Sequence, residues 1–379
     1  MNLPYDLAIV GAGPAGTACA LALANSGLRV ALVDKAVFPR DKICGDAIPG
    51  PTFKALERLP ILQGHSLKSL QAKEEVQYCR VFSATGRAIS YRWVTYSYNS
   101  ARMDFDYFLF EKVQTLTGTD IFQDCRISDI RKENGLFTLF NGEKQILSCR
   151  MVIGCDGAYS IVGRILRPGL EQQHPCAAVR RYYKGVEGLE PGTNDFFFFR
   201  DLLPGYLWIF PLPDGMANVG FGILNQDGEK YPLRQTLERL VQEHPKIAPR
   251  FVHATPVENT KGFSLPLGVS RPPLSGDGFL LTGDAASLID PLQGHGIDHA
   301  AISGILAATW AQKALATNRL DGAFLQAYDK AVYDRLGPLL NKSKWMMRIL
   351  SKASFLLEPG MILLQNERLK NWLVRVAGI

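Results

Sequence analysis

The run Tyr5-Asp-Leu-Ala-Ile-Val10, continued without a break by Gly11-Ala-Gly13-Pro14-Ala15-Gly16, decides the fold. A short β-type run feeds glycines spaced G-x-G-x-x-G. Ala18 to Ser26 then reads as a helix closed by Gly27, and Arg29 to Val33 as a second strand ending on Asp34 and Lys35. This strand–turn–helix–strand context turns a bare glycine pattern into a dinucleotide-binding fingerprint. Gly11 allows the tight turn, Gly13 lets a pyrophosphate approach the backbone, and Gly16 lets helix and strand pack closely. The helix N-terminus offers unpaired N–H groups to phosphates, and Asp34 is placed to accept bonds from ribose hydroxyls. Gly11, Gly13, Pro14, Ala15, Gly16, Asp34 and Lys35 are therefore the expected nucleotide-contacting set.

The remaining composition bounds the rest. With 379 residues, 47% hydrophobic and 21% charged, the chain is a soluble globular protein large enough for two or three cores. Seven cysteines without a C-x-x-C pair, and no His cluster at metal-ligand spacing, predict a reduced, cytoplasmic chain with no metal site. Asp6 stands ahead of the first apolar run, which breaks at once into glycines, so that run does not read as a signal peptide. No apolar segment reaches the roughly 20 residues of a membrane span.

Two later segments say which dinucleotide. Met151-Val-Ile-Gly154-Cys-Asp156-Gly157 and Gly278-Phe-Leu-Leu-Thr-Gly283-Asp284 are apolar strands ending on an acid beside a glycine. Pro291-Leu-Gln-Gly294-His295-Gly296 then leads into an apolar helix from Ile297 to Leu315, whose N-terminus carries a partial positive charge. In this order and spacing the segments resemble the flavoprotein monooxygenase superfamily with the para-hydroxybenzoate hydroxylase fold. Within it, Arg40-Asp-Lys42-Ile-Cys44-Gly45-Asp46, Arg102-Met-Asp-Phe105-Asp106 and Gly205-Tyr206-Leu-Trp208-Ile-Phe210-Pro211 are similar to the geranylgeranyl reductase family. The resemblance covers roughly residues 4 to 315. It implies noncovalent FAD on an α/β fold: a Rossmann-like FAD-binding domain, an inserted antiparallel-sheet substrate domain and a helical C-terminal segment.

Carried onto this sequence, the resemblance places Gly11, Gly13, Gly16 and Asp34 on the adenosine diphosphate part, Arg102 near the phosphates, Asp284 on the ribityl–phosphate region, and Gly294 and Gly296 beside the isoalloxazine. It adds Arg40, Cys44, Gly45, Ile127, Asp156, Gly157, Gly283, Pro291 and Ile297 to the expected cofactor contacts. The FAD domain is then expected from 1–75, 100–165 and 270–330, the substrate domain from 76–99 and 166–269, and the helical segment from 331–379. Between 176 and 225, aromatic and β-branched residues with turn signals at Pro191-Gly192, Pro204-Gly205 and Asp214-Gly215 predict antiparallel strands.

Four residues are candidates for chemistry: Cys44, Tyr206, Trp208 and His295. Cys44 lies between basic Arg40 and Lys42 and Asp46, and nearby cations make a thiol a better acid or nucleophile; a buried inert cysteine is the alternative. The resemblance puts its loop against the flavin. Tyr206 and Trp208 share a strand that lines an apolar channel or simply fills a core. Flavin-dependent halogenases of this fold resemble W-x-W-x-I-P there, and Tyr206 and Phe210 depart from that pattern, which argues against halogenation. His295, with an ordinary imidazole pKa near ~6.5, suits proton transfer at neutral pH unless it only faces solvent. Asp290 before Pro291 orients that turn or merely initiates it, and Arg180 and Arg181 offer phosphate contacts or cap an exposed strand end.

The resulting expectation is an FAD-dependent oxidoreductase that reduces carbon–carbon double bonds of a prenyl or other apolar substrate, with electrons from NAD(P)H or a reduced carrier. A monooxygenase acting on an aromatic or polyene substrate is the alternative, and a halogenase or a non-catalytic flavin-binding protein stands behind both. Formal net charge is +6, yet residues 341–379 hold seven basic and two acidic side chains, a net +5. The positive charge is thus a property of the tail, interleaved with Trp345, Met346, Met347, Ile349 and Trp372. That pattern predicts a peripheral membrane contact or a packed helical cap. The aromatics lack an interleaved basic stripe, so no nucleic-acid partner is expected.

Overall fold

The computed structural model describes residues 3–65, 69–83, 85–224, 231–352, 357–363, 365–366 and 368–369. β1 (Tyr5–Val10), α1 (Pro14–Ala22) and β2 (Val30–Val33) form the opening unit, with Leu7 opposite Val30 in parallel register. Strands from Leu7 to Val10 and from Val30 to Val33 are buried along their length, as a central parallel sheet covered on both faces requires. The helix begins at Pro14, four residues before the expected Ala18, because Gly13 serves as its N-cap and proline's fixed φ suits the first turn.

Along the chain follow β3 (Ala47–Ile48), α2 (Gly50–Leu56), β4 (Glu74–Phe82), β5 (Ala88–Asn99), α3 (Arg102–Leu116) and β6 (Asp120–Phe122). β7 (Asp129–Glu133), β8 (Leu136–Asn141) and β9 (Lys144–Gly154) form a meander that leads to α4 (Ile161–Leu166). Then come β10 (Cys176–Lys184), β11 (Thr193–Phe197), β12 (Gly205–Leu212), β13 (Met216–Leu224), α5 (Leu233–Glu243), β14 (Thr255–Pro256) and β15 (Lys261–Leu265). β16 (Ser275–Gly276), β17 (Phe279–Leu281), α6 (Ile297–Ala316), α7 (Gly322–Lys352) and α8 (Leu357–Leu363) complete the described elements.

Two sheets result. The first runs β16-β17-β9-β1-β2-β6, with β8 on β9 and β7 on β8. The second runs β14-β10-β13-β12-β11-β4-β5-β3, with β15 on β10. Each has its own core: Leu7, Ile9, Leu32 and Ile153 belong to the first, Leu207, Ile209, Val219 and Phe221 to the second. The 176–225 strands pair antiparallel as expected, but β11 also lies parallel to β4, Thr193 opposite Tyr78.

Two expected boundaries shift. β3 pairs with β5 in the second sheet while Ile48 and Cys44 pack on the first core, so the segment expected wholly in the FAD domain joins the two layers before residue 75. The boundary expected at 330–331 falls inside α7, whose Leu325, Tyr328, Val332, Leu336 and Leu340 form one buried face, with the Tyr328 hydroxyl donating to the Leu281 carbonyl at 2.7 Å. An amphipathic period that continues through residue 340 keeps the helix on the first core. Of the tail, residues 353–356, 364, 367 and 370–379, Trp372 among them, lie outside the described residues.

α1 and α6 cross so closely that a Cβ on Gly304 would stand 2.2 Å from the Ala15 carbonyl oxygen. Alanine favours a helix over glycine by about 1 kcal/mol, but a backbone clash cannot be relieved by a rotamer change and overpacking costs about 1–3 kcal/mol. Gly304→Ala should therefore lower stability, read as a lower urea midpoint with an unchanged m-value; an equal or higher midpoint would show that the helices can part freely.

Candidate active site

The site is assembled from the ends of β1, β9 and β17, the N-termini of α1 and α6, the 40–46 loop and the aromatic face of β12. Gly11 adopts φ +102°, and a Cβ there would lie 2.3 Å from the Cys155 carbonyl oxygen; one on Gly16 would lie 1.8 Å from the Gly11 oxygen. Only glycine fits either position. Asp34 accepts from the Ala12 amide at 2.7 Å and from the Ala36 amide at 2.8 Å, so it closes the fingerprint turn and keeps its remaining lone pairs for hydroxyls. Lys35 is exposed beside it. Pro14 and Ala15 are buried in the first turn of α1, which has no side-chain cap.

Over that turn stands Arg40, its Nη2 3.6 Å from where a Gly13 Cβ would be. Arg40 Nη1 lies 3.0 Å from Asp106 Oδ2 but makes no well-directed hydrogen bond although it is buried. Arg102, expected near the phosphates, makes a two-pronged pair with Asp106 at 2.7 and 2.8 Å. Burial works against its charge, but Asp106 and the Cys44 sulfur against it hold the guanidinium more firmly protonated than usual. Burial lowers the pKa of the Lys42 ammonium, which lies 4.1 Å from the centre of the Phe263 ring; Asp284 counteracts the shift in part. Arg40, Lys42 and Arg102 thus converge on the same loop, with Asp106 and Asp284 as the counter-charges.

Asp156 is held at the start of α4. Its carboxylate accepts from Ser160 Oγ at 2.6 Å and from the Ile161 and Val162 amides at 2.7 and 3.1 Å, so it caps that helix. Gly157, at φ +82°, makes the turn that lets it do so. Ile127 is buried in the first core, and Arg180 is no exposed strand end: it is fully buried, bridging Asp41 at 2.7 Å and Glu258.

Cys44 is half-buried at the junction of the two sheets. A Cβ on its neighbour Gly45 would stand 3.3 Å from Phe210 and 3.4 Å from Trp208 Nε1, so the aromatic face of β12 rests on the thiol loop. Trp208 lies across Gly220, where a Cβ would come within 2.1 Å of the indole. Sequence reading missed two partners that hold this contact, Asn218 and Tyr182, and assigned Asp46 no role in it. Asn218 accepts from Trp208 Nε1 at 2.8 Å and donates to the Cys44 carbonyl and to Asp46 Oδ2, each at 2.8 Å. Tyr182 donates to Asp46 Oδ2 at 2.7 Å. Asp46 is fully buried, with φ +65° and Oδ1 unpartnered; burial raises its pKa to about 6 against the pull of Tyr182 and Asn218. A lone asparagine within the apolar run Met216–Leu224 was the available signal.

Tyr206 donates from its hydroxyl to the Gln293 carbonyl at 2.6 Å, tying β12 to the turn before α6. Asp290 holds that turn by accepting from the Leu292 and Gln293 amides, while Pro291 and buried Ile297 flank it. Gly296 is the N-cap of α6, with no side-chain cap, and a Cβ there would lie 3.6 Å from Asp284 Oδ1; Gly283 packs equally closely on Ala300. His295 does not simply face solvent. Its Nδ1 lies 2.8 Å from Asp298 Oδ1, and His299 Nε2 lies 3.7 Å from Asp298 Oδ2, a His–Asp–His cluster that the sequence spacing had not suggested. Burial pulls the His295 imidazole down, but Asp298 overcomes it, with Asp290 adding, and raises the pKa to about 9. The ring is a cation at neutral pH.

An uncapped helix N-terminus, a glycine that leaves room above it and a buried Arg40 nitrogen seeking an acceptor fit the pyrophosphate of a dinucleotide. Residues 4–335 match the family model described as FAD binding domain. The chain belongs to that family. FAD is its cofactor, and it is an FAD-dependent oxidoreductase. It is 28% identical to a menaquinone reductase of Mycolicibacterium smegmatis, over 100% of this chain and 92% of that one. It is also 28% identical to a digeranylgeranylglycerophospholipid reductase of Methanopyrus kandleri, over 93% and 88%. A geranylgeranyl bacteriochlorophyll reductase-like protein of Thermoplasma acidophilum superposes with a TM-score of 0.77 at 25% identity, covering 92% of this chain and 88% of that one. The flavin-dependent brominase Bmp2 superposes at 0.80 with 20% identity, over 99% and 94%, a likeness of fold.

Arg40→Gln should weaken FAD retention at least tenfold on dilution, since a hydrogen bond to a charged group contributes about 1.5–3 kcal/mol; unchanged retention by flavin fluorescence would place the pyrophosphate elsewhere. The His295 pair has a pH signature. A histidine raised from about 6.5 to about 9 stabilises the fold fully below the lower value, and that contribution is lost as pH rises through the upper one. His295→Gln should flatten the decline in unfolding free energy between pH 6.5 and 9 relative to wild type; parallel curves in urea would show that no proton is held there.

Proposed function

We propose that this oxidoreductase reduces isolated double bonds in the prenyl chain of an apolar lipid. The observation that carries the reading is the seating of the Cys44 loop, Arg102 behind it, directly under the Tyr206–Trp208–Phe210 face. Reduced FAD, when bound, supplies a hydride to one alkene carbon. The chain's own residues do the remainder. Cys44, with Arg102 against its sulfur, gives a proton to the other carbon. Tyr206, Trp208 and Phe210 grip the chain and keep water out, which an unactivated alkene needs. His295, charged at neutral pH, is a proton source rather than a base. The names of relatives that act on menaquinone and on digeranylgeranylglycerophospholipid support this substrate class.

We propose further that the chain works at a lipid surface through the tail. No helix among the described residues is long and apolar enough to cross a membrane, while Trp345 and Ile349 are exposed one turn apart on α7 beside Lys344 and Arg348.

Dithionite-reduced enzyme given menaquinone or digeranylgeranylglycerophospholipid without air should yield products heavier by two hydrogens per reduced bond. Product formation only in the presence of oxygen would sink the reading in favour of oxygenation. Cys44→Ala should keep its FAD and lose about 10²–10⁴-fold in turnover, the usual contribution of a positioned acid; full activity would release Cys44 from the role.

A further inference from the structure

Where the segment Gly268–Arg271 runs alongside α7 it leaves a hollow of about 150 Å³, bordered by Ser270, Arg271, Leu340, Asn341 and Lys344. One water needs about 10–15 Å³ on the same measure, so the hollow admits a group of several heavy atoms. The polar side chains at its rim are a guanidinium, an ammonium, a hydroxyl and an amide, with no carboxylate. Both cations are held in place. The Arg271 guanidinium lies 5.5 Å from the Tyr333 ring centre, and its Nη2 sits 2.7 Å from where a Gly337 Cβ would be, so only glycine at 337 leaves it that berth. Arg271 has no acidic partner among the described residues. Lys344 donates to the Val269 carbonyl and keeps two further N–H groups. Gly268 permits the close approach, since a Cβ there would lie 2.9 Å from Leu340.

What lies beside the hollow tells which anion it takes. Lys344 and Arg348 are one helical turn apart, and so are Trp345 and Ile349, which are 64% and 38% exposed. A basic stripe and an apolar stripe therefore run side by side from the rim. A free phosphate has no use for exposed indole and aliphatic groups. An anionic phospholipid does: its phosphate fits the hollow, and tryptophan beside it sits at the headgroup level of a bilayer.

We propose that the Arg271–Lys344 hollow binds the phosphate of an anionic phospholipid headgroup and fixes the protein on the bilayer surface. This rests on the lipid-surface reading above and names the contact that makes it specific.

The test uses FAD-loaded full-length protein sedimented with vesicles of phosphatidylcholine alone or mixed with phosphatidylglycerol. Wild type should partition to the mixed vesicles. Arg271→Ala/Lys344→Ala should lose about thirtyfold in partitioning, from roughly a fivefold factor per basic residue at an anionic surface. The charge-matched Arg131→Ala/Arg319→Ala protein should stay within about twofold of wild type, because those side chains lie away from the hollow. FAD content and turnover on detergent-dispersed substrate should be unchanged in both. Failure of wild type to sediment with either vesicle would remove the lipid-surface reading and the site together. Equal partitioning of the two double variants would remove the site alone. A thermal shift with inorganic phosphate that depends on Arg271 and Lys344, without vesicle binding, would make it a free-phosphate site and overturn the proposal.

Discussion

Backbone meets backbone at three successive points in this protein, and the rest of the site hangs from them. The Cys155 carbonyl occupies the space a Gly11 side chain would need, the Gly11 carbonyl does the same at Gly16, and the Ala15 carbonyl does the same at Gly304. Side chains can adjust to a poor fit, but carbonyls in a strand or helix cannot. The end of β9, the turn after β1, the first turn of α1 and the middle of α6 are therefore one rigid stack. A consequence follows for electrostatics. α1 and α6 both start on glycines without a side-chain cap, so this stack presents two partly positive helix ends.

Onto that stack the chain hangs loops rich in charge. Burying Arg40, Lys42 and Arg102 around one loop would be prohibitive if each stood alone, because desolvation of an ion costs several kcal/mol. Asp106 meets most of this cost by engaging Arg102 with both oxygens and lying within ion-pair distance of Arg40. Lys42 is left with Asp284, and its lowered pKa records the imbalance. An excess of buried positive charge facing an uncapped helix is an arrangement completed by a bound anion. The His295–Asp298 pair is the opposite case: both members are internal, and their charges cancel within the protein.

Much of this was legible in the sequence, for a physical reason that also sets the limit. Glycine spacing and apolar runs report contacts between chain neighbours, so β1–α1–β2, a strand shortly before Asp284 and the helix from Ile297 could be read directly. The aromatic alternation of β12 was equally plain. Partnerships across 172 residues, such as Asn218 with Asp46, exist only once the second sheet has formed, and no local pattern encodes them. Asp156 shows the same limit at short range. Its bonds to Ser160, Ile161 and Val162 exist only once the chain has turned at Gly157, and an acid beside a glycine does not by itself announce them.

The two sheets must also keep a fixed relation, because the aromatic face belongs to one and the cofactor turn to the other. Two kinds of group hold that relation. Asp46 is a carboxyl whose charge changes near pH 6, so its bonds to Tyr182 and Asn218 vary in strength across the neutral range. Asn218 and Tyr206 carry no charge at any pH near neutrality, and burial keeps the Tyr206 phenol protonated. The amide binds the thiol loop to Trp208, and the phenol binds β12 to the turn before α6. The alignment of thiol, aromatic face and helix end thus rests on two groups that do not titrate. Cys44 and His295 are therefore positioned by a frame whose two neutral ties hold whatever the charge on Asp46.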